Sequence, residues 1–139
     1  MQRDAITGLS FAVGQCWTYR APPGFEHSRL VIGAIVTHHA SPDVVCVSVL
    51  NAPQRQPDAS IIAITVPFLP LSAEAMRHTV TALAATDARP AEAFRAAYEA
   101  WRSDPRGLSY FSVPFEGFLD QLVARQMAAI AGVDVDSLR

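Results

Sequence analysis

The chain predicts an α+β domain: a curled antiparallel sheet, or small partly open barrel, packed with three helices in the order ββββααβα. Three observations carry this. Four runs with strand character follow one another through the first half, joined by short turns and one polar loop, which makes them antiparallel neighbours. The second and third runs are apolar on both faces, so the sheet must be covered on both sides. Stretches with apolar residues at helical spacing then follow, set off by prolines.

The first strand is 13–20, "VGQCWTYR", where Val13, Gln15, Trp17 and Tyr19 alternate with Gly14, Cys16, Thr18 and Arg20. Trp17 and Tyr19 are expected to fill the core. "APPG" turns the chain, because the prolines fix φ and Gly24 permits positive φ. In "SRLVIGAIVTHH", Leu30, Ile32, Ala34 and Val36 face away from Val31, Gly33 and Ile35. Across the turn "HASPD", Val45, Val47 and Val49 oppose Val44, Cys46 and Leu50. A fourth strand, "IIAITV" at 61–66, follows the polar loop "NAPQRQPDAS".

Residues 70–86, "PLSAEAMRHTVTALAAT", read as one helix with Ser72 as N-cap, Glu74 near its positive end, and a face of Ala73, Met76, Val80 and Leu83. The second helix starts after Pro90 and puts Phe94, Tyr98 and Trp101 on one stripe, opposite Glu92, Arg95, Glu99 and Arg102. "LSYFSV" at 108–113 reads as a fifth strand, closed by Pro114. The last helix, 115–132, is expected to turn Phe115, Phe118, Leu119, Leu122, Met127 and Ile130 inward, with Gly132 as its cap.

A length of 139 residues fits one domain, 1–139, with 1–11 as an N-terminal segment free to be flexible and 133–139 as a C-terminal tail. Only 17% of residues are charged, against about 25% in an ordinary globular chain. The surface is therefore partly apolar or small and neutral, which suits an interface. All eleven basic residues are arginine, but they are scattered and the net charge is −2, which excludes nucleic acid as the expected partner. Near the start, Asp4 cancels Arg3, polar residues break the apolar run, and Gln15 precedes Cys16, unlike an export signal. With no apolar run of membrane-spanning length, a cytoplasmic location and no membrane partner are expected.

The chemistry-bearing residues form no recognised spacing. Cys16 and Cys46 are far apart, and His27, His38, His39 and His78 lack metal-ligand spacing, so no metal and no cofactor are expected. There is no Gly-x-Ser-x-Gly elbow and no phosphate-cradling glycine loop. The expected function is a non-catalytic interaction domain that binds another protein or self-associates as a homo-oligomer. Alternatives are a small enzyme using Cys16 or Cys46 with a histidine, and a structural subunit of a larger bacterial assembly. The candidate surface is the loop with Arg20, Phe25, Glu26, His27 and Arg29, together with Phe68 and Leu69 of "VPFLPL" and Phe115 of "YFSVPF".

The sequence also resembles a set of small uncharacterised bacterial proteins with the pattern G-Q-x-W-x-Y, a turn, S-x-L-x-I, a valine-rich strand, P-[FL]-S-x-E-A, and Y-x-x-W before a glycine. Gly14, Gln15, Trp17, Tyr19, Ser28, Leu30, Ile32, Ser72, Glu74, Ala75, Tyr98, Trp101 and Gly107 match it, over nearly the whole chain. "PFLPLS" departs from it by an extra proline. The resemblance implies a shared fold and no particular activity.

Overall fold

The structure is a computed structural model and describes residues 10–37, 42–107 and 109–131. Strands β1 (Cys16–Tyr19), β2 (Arg29–Val36), β3 (Val44–Arg55) and β4 (Ile61–Ser72) are successive antiparallel neighbours. A fifth, β5 (Val80–Ala85), pairs with the other side of β1, so the order is β4-β3-β2-β1-β5. The sheet is open, with β4 and β5 as its edges. Three helices, α1 (Ala73–Thr79), α2 (Phe94–Arg102) and α3 (Leu119–Ala131), complete an α+β fold.

The fifth strand is not where the sequence placed it. Of 108–113, the described residues 109–113 contribute a bridge from Phe111 to Leu71 and no strand, whereas 80–85, expected to continue the first helix, are β5. α1 begins as expected, with the Ser72 Oγ accepting from the Ala75 N–H at 3.1 Å. It ends after two turns at Thr79, Val80 and Thr81, three β-branched residues in succession that favour extended backbone. β1 offers the pairing site, and the Thr18 and Thr81 hydroxyls meet there at 2.6 Å.

Two bulges decide which residues reach which layer. Pairing of β2 with β3 slips between Ile32 and Ala34. Leu30, Ile32 and Ile35 therefore join one core and Ala34 and Val36 the other, instead of one face alternating strictly. A slip in β4 between Val66 and Leu69 likewise sends Phe68 to the second layer while Val66, Leu69 and Leu71 stay in the first. The first layer holds Trp17, Tyr19, Val45, Val47, Met76, Phe115 and Leu122. The second lies under α2, where Phe94, Tyr98 and Trp101 cover Val36, Val44 and Cys46. Gly33 permits this approach, since a Cβ there would stand 2.5 Å from the Phe94 ring. The buried Ser48 hydroxyl accepts from the Ala91 N–H (2.9 Å) and donates to the Pro67 carbonyl (2.8 Å), tying the approach to α2 onto the bulge.

The last helix differs most from expectation. It starts at Leu119, so Phe115 and Phe118 precede it, and Met127 and Ile130 are 65% and 77% exposed instead of inward. Gly132, His38, His39, residues 1–9 and the 133–139 tail lie outside the described residues. Among the described residues no helix is long and apolar enough to cross a membrane.

Candidate functional site

The 20–29 loop is a built structure. Phe25 N–H bonds to the Pro22 carbonyl and Ser28 N–H to the Phe25 carbonyl, both at 3.0 Å. The Glu26 carboxylate accepts from the Gly24 N–H at 3.0 Å, which holds it below the usual carboxylate range. Arg29 Nη1 donates to the carbonyls of Glu26 and Ser28 at 2.8 and 2.9 Å. Below it, the Tyr19 hydroxyl meets Ser28 Oγ at 2.7 Å, and Ser28 Oγ donates to the Leu50 carbonyl. Arg20, Glu26 and His27 are exposed on this rigid turn, and Phe25 and Arg29 are half-buried.

The other expected surface residues are not on the surface. Phe115 is 1% and Leu69 2% exposed, both in the first core. Phe115 lies 5.3 Å from the Tyr19 ring, because the chain entering α3 drops into the first layer. Phe68 is half-buried with its ring 5.3 Å from Trp101 and 5.7 Å from Phe94, since the β4 bulge turns it under α2. Trp17 and Tyr19 are core, as expected.

The loop abuts a second surface that the sequence did not announce. Gly117 sits where any Cβ would be 2.6 Å from Pro22 and 3.3 Å from Pro53, so loop, β3 and the approach to α3 meet at one corner. Beside it opens a cleft of about 170 Å³ walled by Pro53, Ile64, Val66, Phe118 and Leu119. At its rim the Arg55 guanidinium stands 4.1 Å over the Phe118 ring and 3.2 Å from the Asp120 carboxylate.

From this corner α3 is tied at two further points. Its first turn is held by Arg55, the last residue of β3 and the partner of Ile61, and further on Gln126 Oε1 accepts from the Ser112 N–H at 2.7 Å. Phe111, next to Ser112, exchanges bonds of 2.9 Å with Ser72 and Pro70 at the far end of β4. On a helical wheel, Leu119 and Gln126 mark the flank towards β4, and exposed Val123, Met127 and Ile130 adjoin that flank. β4 itself exposes Ile61 and Ile62, and among the described residues no segment pairs with its outer side over 61–66. Among the described residues, five of the seven large exposed hydrophobics belong to β4 and α3. Two signals pointed there: a charge-free "IIAITV", and apolar residues on α3 spread over too wide an arc for one buried face.

Burial shifts both thiols. Burial pushes the half-buried Cys16 up, only partly offset by Arg29, and pushes Cys46, sealed under α2, from 9.0 to about 12. Between these values the folded protein keeps a proton that the unfolded chain loses, so stability is expected to fall as pH rises from 9 towards 12. Tyr19, also raised by burial, acts in the same direction. Thermal melts at rising alkaline pH check this: Cys46→Ala should reduce the slope, and an unchanged slope would remove Cys46 as its source. Among the described residues, no three His, Cys, Asp or Glu side chains gather as a metal site. No protein-family model matches the chain, and no curated protein and no solved structure gives a significant match to it.

Proposed function

We propose that the domain acts non-catalytically, binding another protein chain, a copy of itself included, along the free edge of β4 and the adjoining flank of α3. The observation that supports this is the open, charge-free edge at 61–66 beside an apolar helix stripe. Free edges invite pairing, and chains that need no partner blunt theirs with charge, proline or a bulge. Here the proline and β4's own extra residue come at 67–68, past the open part, while a second slip opposite 64–66 puts its extra residue on β3, the inner strand. Pairing along an edge supplies main-chain hydrogen bonds, and side-chain pockets supply specificity. The 170 Å³ cleft suits one apolar side chain, whereas ligand pockets run to about 300–1,000 Å³. Arg20, Glu26 and His27 add a polar rim at the same corner. An enzyme using Cys16 or Cys46 has less support, because a nucleophilic thiol needs a lowered pKa and both are raised. Two free cysteines accord with a cytoplasmic location.

Capture from a native lysate tests the reading, with the immobilised full chain beside an Ile62→Lys/Met127→Lys variant. Both positions are exposed, so the fold should survive, as circular dichroism would report. Wild type should retain a protein, itself or another, that the variant releases. Equal retention by both, or turnover by wild type that thiol alkylation abolishes, would overturn it.

A further inference from the structure

We infer that the occupant of the β4–α3 surface is a second copy of this chain, joined about a two-fold axis by antiparallel pairing of β4 with β4. This rests on the binding reading above and names its partner. The surface has two parts, an edge and a helix stripe, and a lone peptide strand would cover only the edge. A two-fold axis perpendicular to the sheet keeps both α3 helices on one side of a continuous ten-stranded sheet. The start of α3 meets both strands at one cleft, lined by Pro53 and Arg55 of β3, Ile64 and Val66 of β4, and Leu119 and Asp120 of α3. Copies related by that axis would bring the stripe of Val123, Met127 and Ile130 on each protomer to the same side of the joined sheet.

Length, charge and area agree with this occupant. Antiparallel pairing of 61–66 with itself sets Ile61 against Val66 and Ile62 against Thr65, so every open position finds a partner. Beyond it the outer side of β4 is taken by Phe111, which bonds at Pro70 and Ser72. Neither 61–66 nor the stripe carries a charge, so copies of net charge −2 can meet there without like charges in contact. The five exposed apolar side chains leave on the order of 500 Å² per protomer in water, most of the roughly 800 Å² per partner of a standard interface. The β5 edge is a poorer candidate, because its residues are mostly Ala and Thr around Leu83 and offer less apolar area.

Size-exclusion chromatography with light scattering, over roughly 1–100 µM, tests the inference on the full chain. The protomer is 15.0 kDa, so wild type should run at twice that mass and the Ile62→Lys/Met127→Lys variant at the single mass. Hydrogen exchange of wild type alone should show the amides of 61–66 slowing as concentration rises, a result that needs no variant. A wild-type monomer throughout, with exchange at 61–66 independent of concentration, overturns the second copy. In that case the capture experiment decides the broader reading separately: a different protein released by the variant keeps it, and equal retention ends both. A variant that remains dimeric also overturns the inference, because the copies then join elsewhere.

Discussion

Phe115→Ala is expected to destabilise the protein by about 3–5 kcal/mol, the range for truncating a buried aromatic ring. Phe115 is 1% exposed and heads the fully buried side chains by volume. Its ring stacks at a tilt on Tyr19, whose hydroxyl holds Ser28 and the 20–29 loop. Its own N–H bonds to Thr79 Oγ at 3.0 Å, so the end of α1 and the approach to α3 are joined at this residue. The void left by alanine would be lined by rigid strand side chains with little freedom to collapse. Urea denaturation measures the effect, and Trp17→Ala, in the same core, should cost a similar amount. A loss under about 0.5 kcal/mol, typical of surface positions, would return Phe115 to the surface.

Gly117→Ala is expected to cost about 2–5 kcal/mol from two sources that can be separated. The backbone has φ +114°, a conformation that L side chains rarely adopt, and the added Cβ would stand 2.6 Å from the Pro22 ring. Neither proline ring at this corner can swing aside as a flexible side chain would. Gly24 provides the comparison, with φ +90° and no atom within 4 Å of an added Cβ. Gly24→Ala should therefore show the backbone cost alone, about 1–2 kcal/mol. The excess at Gly117 measures the steric closure of the corner where the 20–29 loop, β3 and α3 meet. Equal losses at the two glycines would mean that Pro22 yields freely and the corner is not rigid. If the loop belongs to the binding rim, Gly117→Ala should also weaken retention of the partner in the capture experiment while the isolated Gly24→Ala leaves it nearly unchanged.

The first four strands and the stripe of α2 were legible because their signals are local. Alternation in "VGQCWTYR", the two-sided apolar runs, and Phe94, Tyr98 and Trp101 at helical spacing each report a periodicity that survives in the folded chain. The loop residues Arg20, Glu26 and His27 were also legible as exposed, since turn chemistry keeps them out of the core. Helix and strand competed at 79–85. There, alanine and leucine favoured a helix and the β-branched Thr79, Val80 and Thr81 an extended chain, and the open side of β1 settled it.

The sequence alone therefore determined the class: an α+β domain with an antiparallel sheet covered on both faces and too little charge for a fully polar surface. Tertiary structure decided which apolar residues are covered. Bulges at Gly33 and in β4 shift side chains from one layer to the other by a single residue, and the period-two pattern carries no mark of such a slip. Phe115 and Leu69 went inside, while Met127, Ile130 and the isoleucines of β4 stayed out. Which apolar side chains are left in water depends on where the start of α3 meets β3 and β4, through long-range contacts such as Arg55–Asp120 that no local stretch of sequence encodes.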